Sequence, residues 1–276
     1  MKRVALLISG RAARYDVCLL PSLERAKQHY DVFMSLNDED CFYYEHMRNR
    51  LAKWLRGVYI QPYVIPNNFS CAFIENDHRF AYQKIDGRWL PRNVLSHFFN
   101  DTNAFKMATE YSAANGFEYD VIMKYRADII ADLDAPNLAI DPTILYSVTP
   151  NCLFVTYGKH KVNTILQDWH WGSPAVMKLA SSTYDYILRE NANDNTYIFH
   201  YESNFVDNLV DKSVINTYVA IPYAVDMNRR LFDSSWNPTN VIDSRKVNCK
   251  GAQPYIDIKS ITRVEDLPVI KVLPGN

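Results

Sequence analysis

The sequence predicts an α/β protein with a central mixed, mostly parallel sheet flanked by helices. Apolar runs of strand length alternate with segments of helical spacing from the amino terminus onward, which is the pattern of β-α-β units. The composition, 48% hydrophobic and 22% charged over 276 residues, is that of a folded chain that buries a sizeable core. No repeat or linker divides the sequence, so we expect one domain over residues 1–276.

The first β-α-β unit has the clearest pattern. Residues 4–8 form an unbroken apolar run, which is typical of a parallel strand buried on both faces. Pro21 suits the first turn of a short helix that ends before Tyr30. A second apolar strand follows at residues 32–36, and the polar residues after it predict a capped helix over 41–55.

The remaining sequence contains further strands and helices. Strands are predicted over residues 58–64, 119–125, 144–149, 153–156 and 214–221, and helices over 92–115, 174–190 and 202–209. Asn115-Gly116 supplies a stop for the long central helix. Pro62 and Pro66 indicate an edge or irregular strand, and residues 67–91 are weakly patterned.

Charge, cysteine content and hydropathy exclude several classes of function. Thirty Lys and Arg residues balance thirty-one Asp and Glu residues, so no basic field attracts a nucleic acid. The five cysteines are never spaced as C-x-x-C, which favours a reducing, cytoplasmic compartment over a disulfide framework or a zinc knuckle. The apolar run after Met1 is too short for a signal peptide or a membrane span, so we expect a soluble chain.

The loop after the first strand is the first candidate site. Ligands of open α/β sheets bind outside the carboxyl ends of the strands. This loop contains the small residues Ser9 and Gly10 and two guanidinium groups, those of Arg11 and Arg14, which can make bidentate contacts with phosphate. The alternative is an ordinary β-α turn with solvated arginines.

A second candidate site follows the strand over 119–125. Arg126 and Asp128 are two residues apart in an extended segment, so their side chains point to the same side. The two can simply pair, or Asp128 can hold Mg²⁺ or Mn²⁺ while Arg126 faces a diphosphate. A literal Asp-x-Asp follows at 132–134, where it can equally be a turn, and it ranks below Asp128.

Residues 168–172 concentrate aromatic and polar groups just before a predicted helix. Aromatic faces such as those of Trp169 and Trp171 stack on sugars and bases, while Asp168 and His170 can move protons. Gly172 completes the segment, for which we predict substrate binding. The structural alternative, compatible with the first, buries the indoles and uses Ser173 as a helix cap.

The last candidate is the sequence His200-Tyr201-Glu202 at a predicted helix start. Glu202 there can compensate the helix dipole, or it can act as the general base that deprotonates an acceptor hydroxyl. Asp168 is the other candidate base, and His200 is a candidate metal ligand. The sequence has no H-E-x-x-H and no G-x-S-x-G, which disfavours zinc hydrolases and esterases.

The order of these motifs resembles that of small GT-A-type glycosyltransferases from bacterial and viral surface-glycan gene sets. The matching segments are S-G-R-x-x-R, D-V-F-M-S-L, Y-D-V-I-M-K-Y-R-A-D and D-W-H-W-G-S-P-A-V-M, in that order. The resemblance implies a single GT-A-like domain. Its first half, about residues 1–130, would bind a nucleotide-sugar, and its second half, about 131–276, would bind the acceptor. Arg126 replaces the first Asp of the family's D-x-D motif, so only Asp128 matches it.

The resemblance also implies an activity, namely transfer of a hexose or deoxyhexose from a UDP- or GDP-sugar to a hydroxyl of a glycan or glycoprotein. A divalent metal at Asp128 would assist departure of the diphosphate. Two other classes stay open. A glycoside hydrolase would use two facing carboxylates, but it needs no arginine-bearing strand ends. A non-catalytic carbohydrate-binding protein is usually all-β.

Overall fold

The computed structural model describes most of the chain up to residue 225. The described residues are 2–10, 12, 15–37, 44–60, 66, 83–85, 88–90, 92–148, 154–157, 160–163, 169–193, 201–219, 221 and 223–225. Within this part of the chain, no helix is both long and apolar enough to cross a membrane.

Strands and helices alternate up to residue 60, as the sequence predicts, and the later described elements come in runs of strands and of helices. The strands are β1 Val4–Gly10, β2 Tyr30–Leu36, β3 Leu55–Ile60, β4 Gln83–Ile85, β5 Arg88–Leu90, β6 Val121–Tyr125, β7 Ile129–Ala131, β8 Ile144–Val148, β9 Phe154–Tyr157, β10 His160–Asn163, β11 Trp169–Gly172, β12 Ile215–Val219 and β13 Tyr223–Val225. The helices are α1 Leu20–Arg25, α2 Tyr44–Arg50, α3 Arg92–Ala114, α4 Pro174–Ala180, α5 Thr183–Asn193 and α6 Tyr201–Asp211. A π-helical turn, Tyr15–Leu19, leads into α1.

Seven strands form the central sheet in the order β12-β8-β11-β6-β1-β2-β3. Strands β1, β2, β3 and β6 are parallel neighbours, and β8 is parallel to β12. Strand β11 lies between β6 and β8 and is antiparallel to both. The predicted fold class, a mixed and mostly parallel sheet flanked by helices, is confirmed.

The sheet is buried on both faces, which explains the unbroken apolar run in β1. Leu6 and Ile8 point into a core shared with α1, α2 and the segment around β7. Ala5 and Leu7 point into a second core, formed with helices α3 to α6. A strand covered on both faces needs apolar side chains at successive positions rather than at alternate ones.

Helix α3 ends where the sequence predicts. It has 23 residues and is therefore about 35 Å long. Gly116 follows it with φ +67°, a conformation that glycine adopts without strain. The N–H of Phe117 donates to the carbonyl of Ser112, and the N–H of Gly116 donates to that of Ala113, which together make a glycine-based helix cap.

Two predicted helices differ from the observed ones. The described helix within 41–55 is only α2, because the chain turns after it and β3 begins at Leu55, with Trp54 in the core. The single helix predicted over 174–190 is two helices, α4 and α5. Ser182 and Thr183 at the break hydrogen-bond through their hydroxyls to carbonyls of α4, which competes with continuing the helix.

Candidate functional site

The two strand ends identified in the sequence meet at one point of the sheet. The chain proceeds from β1 to β2 and β3 on one side, while β6 lies on the other side of β1, so the strand order reverses between β1 and β6. Ligands of open α/β sheets bind outside the carboxyl ends of strands at such a switch point. Ile8 is paired with Tyr125, so Ser9-Gly10 and Arg126-Ala127-Asp128 follow neighbouring strands at the same edge.

Gly10 shapes the end of β1. Its φ is +92°, so a side chain at this position would strain the backbone. A Cβ atom placed there would lie 3.5 Å from Nδ1 of His97, so the helix α3 side chain comes close to this backbone. The carbonyl of Gly10 accepts a hydrogen bond from the N–H of Asn37 at 3.0 Å. Arg11 and Arg14 lie outside the described residues.

Arg126 and Asp128 pair with each other. Nε of Arg126 donates to Oδ1 of Asp128 at 2.8 Å, and Nη2 donates to Oδ2 at 2.6 Å, which is a bidentate contact. Only 18% of the Arg126 side chain and 12% of the Asp128 side chain are exposed. The carboxylate therefore fixes the guanidinium at the carboxyl end of β6.

This pairing bears on the predicted metal. Both oxygens of Asp128 already accept hydrogen bonds from Arg126, so this carboxylate faces a guanidinium. Among the residues that the structure describes, no group of three or more His, Cys, Asp and Glu side chains can hold a metal ion. The described part of the site therefore does not make a metal centre by itself. Asp128 and His200 as ligands of Mn²⁺ or Mg²⁺ stay a prediction, and His200 lies outside the described residues.

The literal Asp-x-Asp, Asp132-Leu133-Asp134, lies at the opposite end of the parallel strands, where they begin. Oδ2 of Asp134 accepts the backbone N–H of Lys27 at 2.6 Å, just before β2 begins. Oδ1 of Asp132 accepts the N–H of Asp134 at 3.0 Å, which closes a tight turn. Of the two alternatives for this pair, a metal ligand or a turn, the structure therefore shows the turn. It lies at the amino ends of the parallel strands.

Strand β11 buries the aromatic segment. Trp169 is paired with Tyr125, so β11 starts at the edge where β6 ends. Both Trp169 and Trp171 are fully buried, and their indole N–H groups have no acceptor among the described residues. Trp169 meets the ring of Tyr125 edge-on at 5.3 Å, and Trp171 stacks on Tyr146 at 5.8 Å. The structure therefore places both indoles in the core. Their contact with a sugar stays a prediction.

The other residues of this segment have structural roles as well. His170 points to the opposite face of the sheet, where its ring lies 5.2 Å from that of Phe205. At Gly172, a Cβ atom would lie 3.3 Å from the carbonyl oxygen of Ile144, a tight approach. The Ser173 hydroxyl accepts the N–H of Val176 and caps α4, as the sequence predicts.

The two candidate bases lie next to or within described elements. Asp168 immediately precedes β11 in the sequence but lies outside the described residues. Glu202 is the second residue of α6, as a helix-start residue should be, and its side chain is outside the described part. Both stay predictions as general bases.

A buried polar cluster beneath Gly10 was not predicted from the sequence. Its members are Lys124, the last residue but one of β6, and the α3 residues His97 and Asp101. Nζ of Lys124 lies 2.6 Å from Nε2 of His97 and 2.9 Å from Oδ2 of Asp101. Two features of the sequence could have indicated this cluster. One is a lysine inside an apolar strand, and the other is a His and an Asp four residues apart, which lie on one face of a helix.

Burial and charge set the protonation of this cluster. Lys124 is only 2% exposed. Burial alone would raise the pKa of Asp101, but the Lys124 ammonium 2.9 Å away outweighs it and holds that pKa well below its usual range. Burial, reinforced by Lys124, lowers the pKa of His97. The cluster at neutral pH is therefore an ammonium, a carboxylate and an uncharged imidazole.

We expect the unfolding free energy to fall as the pH drops below about 6.5, because of His97. The unfolded ring titrates near its ordinary value of 6.5 and takes up a proton that the folded ring, with its lowered pKa, does not. The stabilisation is complete above that pH and is lost toward acid, by at most about 1.4 kcal/mol per pH unit. Urea titrations of the wild type and of His97→Gln between about pH 5 and 8 measure the difference. Identical pH dependence in the two proteins would contradict a neutral His97.

Comparison with known proteins gives a likeness of fold. No family model matches the sequence, and no curated protein matches it. A nucleoside-diphosphate-sugar pyrophosphorylase from Vibrio cholerae RC9 is similar, with a TM-score of 0.38 and 9% identity over 79% of this chain and 91% of its own. The glycosyltransferase GlyE of Streptococcus pneumoniae TIGR4 is similar with a TM-score of 0.42 and 11% identity, over 79% of this chain and 45% of its own.

Proposed function

We propose that the protein is a glycosyltransferase that uses a nucleotide-sugar donor. One observation carries the proposal. Gly10 ends β1 and Arg126 directly follows the neighbouring strand β6, so both lie at the switch point of the sheet, where Asp128 fixes the Arg126 guanidinium. A nucleotide diphosphate suits this place, because the backbone of Gly10 allows close approach and a guanidinium matches phosphate oxygens.

The arrangement suggests how the leaving group would be stabilised. Cleavage of the bond between the sugar and the diphosphate leaves negative charge on phosphate oxygens. A donor group that is already fixed where this charge develops stabilises the transition state without reorganising. Asp128 holds Arg126 in that manner, and Arg11 and Arg14 would add positive charge from the loop after β1. A divalent metal, if bound at Asp128, would supply further charge neutralisation.

The acceptor would approach from the second half of the chain. Strand β11 enters the sheet at the edge where β6 ends, and Asp168 is the residue before it. We propose that Asp168, or failing it Glu202, removes the proton from an acceptor hydroxyl. The donor would be a UDP- or GDP-sugar carrying a hexose or deoxyhexose. The acceptor would be a glycan or glycoprotein, and the enzyme would act in the cytoplasm.

The described residues favour this activity over glycoside hydrolysis. A hydrolase needs two carboxylates that face each other across a sugar, about 5 to 9 Å apart. At the described part of this edge, Asp128 is paired with Arg126 and Asp101 with Lys124. Neither is a carboxylate that faces another across a cleft.

The test is a thermal-shift panel followed by a transfer assay. We expect UDP or GDP to raise the melting temperature, with and without Mn²⁺, because a ligand of the folded state stabilises it by mass action. Incubation with the matching nucleotide-sugars and glycan acceptors should then yield a larger glycan by mass spectrometry. A shift with free glycans but with no nucleotide would favour a carbohydrate-binding protein instead. Hydrolysis of nitrophenyl glycosides without nucleotide would favour a hydrolase.

A further inference from the structure

The cluster of Lys124, His97 and Asp101 lies directly under the proposed donor site. His97 Nδ1 is within 3.5 Å of the place where a Gly10 Cβ would be, and Lys124 precedes Arg126 by two residues on β6. An inward charged pair in a sheet core is weakly stabilising at best, since apolar side chains of similar volume serve stability as well. Its position next to the switch point gives it another use.

The contacts of Lys124 determine which nitrogen of His97 carries the proton. Nε2 of His97 lies 2.6 Å from Nζ of Lys124 and 3.4 Å from Oδ2 of Asp101. An ammonium group has only donors, so across the shorter contact it donates to Nε2, and this contact outweighs the longer approach to the carboxylate. A neutral imidazole has one donor and one acceptor nitrogen, so the proton is on Nδ1. Nδ1 is the nitrogen that faces the Gly10 backbone. The charged groups that act on this ring are Lys124 and Arg126 from the side of β6 and Asp101 from its own helix.

The hydrogen bonding of the cluster is incomplete toward the same side. The Ser9 hydroxyl lies beside the Asp101 carboxylate and lowers its pKa, although the two do not meet in hydrogen-bonding geometry. Both Oγ of Ser9 and Oδ1 of Asp101 are buried, and neither has a partner among the described residues. Ser9 and Asp101 therefore keep hydrogen-bonding capacity beside the end of β1, where the donor is proposed to bind.

We propose that Lys124 is a positioning residue for donor binding. It holds His97 as the Nδ1–H tautomer, and through it fixes the Ser9-Gly10 backbone on which the donor diphosphate lies. The inference rests on the proposed function. It adds that a buried cationic residue near the carboxyl end of β6 acts on the nucleotide through a histidine and a backbone segment of another strand.

The test uses variants that remove the charge without leaving a buried ion. Lys124→Met alone leaves the buried Asp101 carboxylate without its counter-charge. The main variant therefore combines Lys124→Met with Asp101→Asn. Histidine-selective ¹⁵N NMR of the full-length wild type should show the Nδ1–H form at His97, and the double variant should lose it. Calorimetry with UDP or GDP should show at least about a tenfold weaker affinity in the double variant, the loss expected for one charge-assisted contact. Turnover at saturating donor should change little.

Two single substitutions of His97 separate positioning from packing. Asparagine places an amide N–H near the position of Nδ1, whereas glutamine places an acceptor near that of Nε2. We expect His97→Asn to keep more of the nucleotide affinity than His97→Gln, and the exposed His29→Gln to change nothing.

The outcomes distinguish the two proposals. If the wild type binds nucleotides and the double variant binds them equally well, the positioning role is wrong while the proposed function stands. An Nε2–H tautomer in the wild type, or better binding by His97→Gln than by His97→Asn, also overturns the role. If the wild type binds no nucleotide, the proposed function fails, and the positioning role fails with it.

Discussion

Alanine in place of Asp128 is expected to lower glycosyl transfer by at least about a hundredfold while the protein stays folded. In the structure this carboxylate holds the guanidinium of Arg126 through two hydrogen bonds. Its loss releases the guanidinium from the position where diphosphate charge would develop, and removal of one such fixed group typically costs about 10² to 10³ in kcat. Asp128 is buried between β6 and β7 but lies outside both apolar clusters, so its removal leaves no cavity among the core side chains.

The literal Asp-x-Asp provides the matched control for this prediction. Asp132→Ala removes a carboxylate from the same stretch of sequence, but at the opposite edge of the sheet, and should leave transfer unchanged. Both proteins are assayed for transfer with Mn²⁺ and with a chelator, after circular dichroism confirms the fold. Full activity of Asp128→Ala would refute the assignment, and a loss confined to Asp132→Ala would move the site to the other edge. Activity of the wild type that does not respond to the chelator would remove the metal from the proposal.

The second large effect is expected at the general base. If the enzyme inverts the configuration of the sugar, Asp168→Asn should lower kcat by about 10² to 10⁴ with little change in donor affinity. An amide keeps the size of the side chain but cannot accept the proton of the acceptor hydroxyl. Asp168 is preferred because the next residue, Trp169, lies beside Tyr125 at the end of β6, close to Arg126 and Asp128 in the chain.

Glu202→Gln is the companion variant. Its position at the start of α6 gives Glu202 an independent role in compensating the helix dipole, so we expect a smaller effect, mainly on stability. Steady-state kinetics, with donor and acceptor varied separately, give kcat and KM for both variants. NMR of the product gives its anomeric configuration. Near-normal kcat in both amide variants, or retention of the donor configuration, would show that no such base operates.

Most of the fold could be predicted because strands buried on both faces have a simple signature. Strands β1 and β2 are apolar runs, and the end of α3 is encoded locally by Gly116. The break between α4 and α5 is less visible. The amide of Asn208 donates to the carbonyl of Leu179 at the end of α4, a contact between residues 29 positions apart that no local pattern reveals.

The candidate site could be predicted in part, for a related reason. Parallel strands end at a common edge, so residues after β1 and after β6 could be expected to meet without any knowledge of register. The same reasoning does not apply to the Asp-x-Asp at 132–134. By that point the chain has returned to the amino ends of the parallel strands, where the two aspartates form a tight turn. The partners of Lys124 were hidden because they lie on α3, 23 and 27 residues earlier in the chain.

The order of strands in the sheet also has a consequence for biosynthesis. Strands β3, β2, β1 and β6 all come from residues before 126, and β11, β8 and β12 all come from residues after 143. Within the described central sheet, the two blocks meet at the ladder between β6 and β11. During translation β6 is therefore an open edge until β11 emerges from the ribosome, and open edges invite pairing with other chains. We therefore expect less aggregation of newly made protein when β11 pairs with β6 sooner after synthesis.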